Sequence, residues 1–289
     1  MQVNELPLVF ECQGEQLIGI IHQPVNKLKV GILIVVGGPQ YRVGSHRQFL
    51  LLARSLAAQG FPVMRFDVRG MGDSGGAQRR FDQSDDDIRA AIDCFLSSCP
   101  QLNQVILWGL CDAASASCFY AYQDVRVNGM VLLNPWVFTE QGAAKTYLKH
   151  YYLQRLLSKD FWQKVFSFKF GLMQSLGSLI NLLKQAAGVH NIEPKCGKTD
   201  FIDDNLPLPI RMRECLRQFS YPVLLILSGR DLTAEEFKGV VKNDVGWQTL
   251  LEQARVIKHD LADADHTFSS EAWRSQVSAW TLDWLNKLN

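Results

Sequence analysis

A chain of 289 residues with 47% hydrophobic residues holds enough apolar side chain for a large core, and 30 basic against 29 acidic residues leave a formal charge of only +1. That balance excludes a field strong enough to attract nucleic acid, so no polyanion-binding role is expected. Seven cysteines, odd in number and without a CxxC pair, are read as free thiols of a reducing cytoplasm, and no metal or cofactor is expected. The first residues lack a basic start followed by a long apolar run, and no stretch approaches the roughly 18–20 apolar residues of a membrane span. A soluble, cytoplasmic protein is the expectation.

In chain order, Leu6–Cys12 and Leu17–His22 flank the polar turn QGEQ and predict an antiparallel hairpin. VGILIVVGG (30–38) is a continuous β-branched run, the pattern of a strand buried on both faces of a parallel sheet. Arg47–Gln59 has helical periodicity and stops at Gly60. PVMRFDVRG (62–70) reads as the next strand, and Asp85–Ser98 as a helix whose acidic first turn suits the helix dipole. QVILWGL, the helix Asp112–Tyr122, VNGMVLLNPW, PVLLILSGRD (222–231), a helical region, ARVIKHDL and the helix Ser270–Leu288 continue the alternation. Strands alternating with helices predict a doubly wound, mostly parallel α/β sheet with an N-terminal antiparallel hairpin. Between Val137 and Phe219 the pattern gives way to a helical segment rich in aromatic and basic residues. We read 1–136 and 220–289 as the core and 137–219 as a helical cap, inserted where open α/β sheets bind ligands.

WGLCDAASA (108–116) has the spacing of a strand-to-helix nucleophile turn, in which small residues let the backbone tighten. Cys111 takes the nucleophile position at a helix N-terminus, which favours a thiolate, while the carboxylate of Asp112 works against one. His266, in the polar loop DADHTF, is the candidate base, and Asp231, at the end of the strand LLILSGRD, the acid that orients it. Asp263 and Asp265 are alternative acids, nearer in sequence but not placed by a strand end. Among the other histidines, His46 stands out because it follows the loop after Gly38. An oxyanion hole needs two N–H donors. Asp112 offers one and Gly38 the other, with Gln40 as second choice because Pro39 has no N–H.

FDVRGMGDSGG (66–76) is similar to the Asp-x-Arg-Gly-x-Gly-x-Ser stretch common in α/β-hydrolases, and with the elbow, Asp231 and His266 the resemblance covers nearly the whole chain. It implies the α/β-hydrolase fold, and Asp67, Arg69 and Ser74 are expected to stabilise loops rather than perform chemistry. GGPQYRVGSHRQF, GLCDAA and YLKHYYLQRLLSKDFW together resemble the exosortase A system-associated hydrolases of Gram-negative bacteria, encoded near exopolysaccharide and protein-sorting genes. That resemblance implies a cysteine elbow as a group feature and a bacterial setting. It implies no substrate.

The sequence therefore points to a cysteine-dependent acyl hydrolase or acyltransferase acting on an ester or thioester of a small-molecule or acylated substrate. The alternative is a non-catalytic binding or scaffold protein on the same fold. A basic, aromatic cap (Lys145, Lys149 and Arg155 among Tyr147, Tyr151 and Tyr152) also allows contact with an anionic membrane surface, though a lid is the commoner use of such a helix.

Overall fold

The computed structural model describes residues 3–138, 202–203 and 206–288. Its centre is an eight-stranded sheet: β1 (Val3–Cys12), β2 (Glu15–Pro24), β3 (Val30–Val35), β4 (Val63–Phe66), β5 (Gln104–Leu110), β6 (Val127–Leu133), β7 (Val223–Arg230) and β8 (Val256–Asp265). The strand order is β1-β2-β4-β3-β5-β6-β7-β8. β1 pairs with β2, and β2 with β4, antiparallel; every other pair is parallel. The expected hairpin forms around Gln13 and Gly14, whose φ values of 52° and 81° suit the twist of the two strands.

Alternation along the buried strands sorts their side chains onto two helical layers. Leu33, Val35, Val105 and Leu107 point to one side, against α2 (Asp85–Ser98), α3 (Asp112–Ala121), α4 (Leu208–Gln218), α5 (Leu232–Lys242) and α6 (Val245–Leu251). Ile32, Ile34, Ile106 and Trp108 point to the other, against α1 (Gln48–Ala58) and α7 (Glu271–Asn286). This two-sided burial is why β3, β5 and β7 read as unbroken apolar runs.

Two features differ from the sequence reading. The strand expected over 62–70 ends at Phe66, because the buried Asp67 carboxylate accepts from the N–H groups of Arg42 and Asp73 and turns the chain out of the sheet. Within 137–219, the described helix α4 packs into the core. Met212, Cys215, Leu216 and Phe219 recur at helical spacing and bury against the core, and the Arg211 guanidinium lies 4.3 Å from the centre of the Phe119 ring. The rest of the expected cap, 139–201 with 204–205, lies outside the described residues, as do its basic and aromatic side chains. Among the described residues, no helix is long and apolar enough to cross a membrane.

Candidate active site

The carboxyl ends of β3, β5, β7 and β8 bring the candidate residues to one edge of the sheet. β5 runs into α3 through Cys111, whose φ of 63° and ψ of −125° make it a rare non-glycine residue at positive φ. The small residues around it permit this turn. A Cβ at Gly109 would lie 2.6 Å from the Ala113 carbonyl oxygen, so only glycine lets strand and helix approach this closely. The turn is held from β6, since Cys111 N–H donates to the Leu133 carbonyl at 2.8 Å and Trp136 N–H to the Cys111 carbonyl at 3.3 Å. Positive φ at an otherwise well-bonded position is strain that packing sustains, a common feature of functional turns.

His266 follows β8 directly, and its Nδ1 lies 2.9 Å from Asp231 Oδ2. Asp231 caps α5, accepting from the N–H groups of Thr233 and Ala234 at 3.1 Å each, so its carboxylate is fixed before it meets the imidazole. With Nδ1 engaged by Asp231, the other ring nitrogen is left free of that bond, and Cys111 stands near enough to the ring to raise its pKa. The bond to Asp231, then the neighbouring Cys111, push the His266 pKa up to about 10 against the opposing effect of burial. The alternative acids go elsewhere: Asp263 pairs with Arg230 at 2.9 Å and Asp265 accepts from Ser269 N–H at 3.0 Å. His46 lies exposed in the short 3-10 turn Ser45–Arg47.

The loop after β3 meets the elbow through Asp112. Gly38 N–H donates to Asp112 Oδ2 at 2.9 Å, and Ala113 N–H donates to Oδ1 at 3.0 Å. Burial pushes the Asp112 carboxyl pKa up, and these N–H groups oppose the shift. Gln40 does not offer the donor considered for it. Its N–H turns back onto the Gly38 carbonyl at 2.8 Å, closing a tight turn.

Two supporting residues escaped the sequence reading. Asn134, fully buried at the end of β6, donates from Nδ2 to the His266 carbonyl at 3.0 Å and accepts the Ser228 N–H at 2.8 Å on Oδ1. It thereby ties β6 and β7 to the histidine loop, and the one available signal was a polar residue closing an apolar strand just before proline. Arg42 reaches from the β3 loop to Asp67 and Asp73 and fixes that loop on the Asp67–Gly76 turn. Asp67 and Ser74 hold that turn as expected, with Ser74 Oγ donating to the Asp67 carbonyl at 2.7 Å, and Arg69 pairs with Asp87 behind it. Among the described residues, no group of three or more His, Cys, Asp or Glu side chains is arranged to hold a metal ion.

A family model for serine aminopeptidases of the S33 type matches residues 31–239. The chain belongs to this hydrolase family. It is an enzyme of the α/β-hydrolase class. No curated protein matches it significantly in sequence. Among solved structures it is similar to an esterase of Pyrococcus furiosus, at 14% identity and TM-score 0.65, over 99% of this chain and 91% of that one. An acylaminoacyl peptidase of Pyrococcus horikoshii matches at 14% identity and TM-score 0.61, over 99% of this chain but 42% of the peptidase. A lidless α/β serine hydrolase of Xanthomonas campestris matches at 16% identity and TM-score 0.58, over 98% and 96%. At such identities these likenesses establish the shared fold.

Proposed function

We propose that this hydrolase cleaves ester or thioester bonds through an acyl-cysteine intermediate, with Cys111 as nucleophile, His266 as proton carrier and Asp231 as its orienting acid. The observation that carries the reading is Cys111 at positive φ in the β5–α3 elbow, beside a histidine that Asp231 holds at 2.9 Å and whose pKa Cys111 helps to raise. The Cys111 S–H proton passes to His266, which holds it at neutral pH, and the thiolate sulfur attacks the carbonyl carbon. The carbonyl π pair moves onto oxygen, where the N–H groups of Gly38 and Asp112 receive it. Collapse of the tetrahedral adduct expels the alkoxide or thiolate, which takes the His266 proton. Water, or another hydroxyl or thiol acceptor, then attacks the acyl-cysteine as His266 accepts its proton, and collapse releases the acid or transferred acyl product. A thiolate leaves readily, so activated esters and thioesters are favoured over amides.

The resemblance to exosortase-associated hydrolases supports a setting in exopolysaccharide or protein-sorting metabolism of a bacterium, and the acylated substrate is sought there. The insertion over 137–219 is proposed to supply a helical lid from the part preceding α4. A second reading, a binding protein on a hydrolase fold, draws on one observation: the Gly38 N–H is already engaged by the Asp112 carboxylate.

Acid-quenched intact-protein mass spectrometry with a short activated ester tests the proposal. An acyl adduct mapping to Cys111, absent from Cys111→Ala and slow to form in His266→Ala, is the expected result. No adduct, with a Cys111 thiol sluggish toward iodoacetamide, overturns the nucleophile and leaves the binding protein.

A further inference from the structure

One of the two N–H groups expected to receive a substrate oxyanion, that of Gly38, already donates to an anion of the protein's own. Asp112 Oδ2 accepts from Gly38 N–H at 2.9 Å, and Oδ1 accepts from Ala113 N–H at 3.0 Å. The seat is shaped for this group. A Cβ at Gly37 would lie 2.0 Å from Asp112 Oδ1, so any side chain at position 37 would evict the carboxylate. A planar anion set on backbone N–H groups beside the nucleophile has the charge and hydrogen-bond demand of the oxyanion that hydrolysis generates.

We infer that the Asp112 side chain is an internal ligand of the oxyanion hole, which a substrate carbonyl must displace before Cys111 can be acylated. This rests on the reading of Cys111 as nucleophile and Gly38 and Asp112 as the hole. The fold provides somewhere for the carboxylate to go. A cavity of about 30 Å³ adjoins the seat and is lined by Gly37, Gly38 and Asp112 together with Arg79, Arg80 and Asp87. Of these, Arg79 and Arg80 are exposed, Arg80 pairs with Asp82, and Asp87 is paired with Arg69, so the acid in the wall is already neutralised. Rotation toward this space releases the Gly38 N–H for a substrate oxyanion. Asp112 thereby sets how activated a carbonyl must be to enter, making it a rate- and specificity-determining residue of the same site.

Two reactions of Cys111 separate the hole from the thiol. Acylation by a p-nitrophenyl ester develops an oxyanion, whereas alkylation by iodoacetamide does not. The ratio of the two rates is measured for the full chain and for Asp112→Ala and Asp112→Asn, with circular dichroism as a check of folding. An internal ligand predicts that the acylation-to-alkylation ratio rises at least tenfold in Asp112→Ala, with a smaller rise in Asp112→Asn, whose amide retains one acceptor oxygen. If the carboxylate acts only by repelling charge from the thiol, both rates rise together and the ratio stays constant, which overturns the inference. A falling ratio overturns it too, showing that Asp112 supports the hole. Alkylation that is slow and indifferent to His266→Ala overturns the nucleophile and the internal ligand with it, whereas fast alkylation with an unchanged ratio overturns the internal ligand alone.

Discussion

At the scale of single residues, the chemistry depends on where one proton sits. His266 is raised to about 10 by Asp231 and Cys111, so it stays protonated through neutrality. Its contribution to stability is present below the ordinary histidine range near 6.5 and is lost as pH rises through about 10. NMR of the His266 ring should show a midpoint near 10 in the wild type, moving back toward 6.5 in Asp231→Ala. The same substitution leaves the imidazole without its orienting partner, and acylation of Cys111 should slow by about 10²–10⁴-fold, read by acid-quench mass spectrometry. An unshifted histidine midpoint in Asp231→Ala would mean that Asp231 does not hold the ring in solution.

At the scale of elements, the site depends on how closely β5, β6 and β7 are tied at their carboxyl ends. Asn134 is the fastener there, and Asn134→Ala leaves the buried Ser228 N–H without its acceptor. The expected cost is about 1–3 kcal/mol, seen as a lower midpoint in urea or thermal unfolding, with slower acylation because the His266 carbonyl also loses its donor. The β5–α3 junction is less forgiving. Gly109→Val sets its Cβ against the Ala113 carbonyl and must push the elbow away from β5. A loss of about 1–3 kcal/mol in the same melts, accompanied by loss of the acyl adduct, is expected. A stable variant that still acylates would show that the close approach is dispensable.

At the scale of the whole molecule, a buried histidine outside the candidate trio is expected to make the fold sensitive to acid. His22, fully buried on β2, accepts from Arg65 Nε at 2.9 Å, and burial followed by the Arg65 charge lowers its pKa to about 4. As pH falls from about 6.5 to 4 the unfolded chain takes up a proton that the folded one refuses, so stability falls across that window by up to about 3 kcal/mol. Thermal unfolding at pH 7.5 and pH 5 should show a drop in midpoint for the wild type and a smaller drop for His22→Gln. Equal drops would place the acid sensitivity elsewhere. The buried Arg69–Asp87 pair sits against the Asp67–Gly76 turn, so Asp87→Ala, which leaves the buried guanidinium only the longer contact to Asp86 at 3.8 Å, is expected to cost about 3 kcal/mol in the same melts.

Much of this molecule was legible in its sequence, because the features concerned are local. Unbroken apolar runs bounded by glycine specify doubly buried strands, and the small residues of GLCDAA specify a tight elbow wherever it lies. Asp231 and His266 could be chosen because strand ends in a parallel sheet share one edge. What local pattern does not contain is contact across distant segments. α4 joined the core through four residues whose apolar face is visible only once α3 stands opposite it. Asn134 acquired its purpose from Ser228 and His266, 94 and 132 residues further along the chain. The Gln40 N–H was lost to a turn onto Gly38, and the Gly38 N–H was taken by a carboxylate 74 residues away. Residue spacing by itself determined the layered sheet, the elbow and the candidate trio. Only the tertiary structure decided which hydrogen-bond donors remain for a substrate, because each buried N–H takes the nearest acceptor the fold delivers, whatever its distance in sequence.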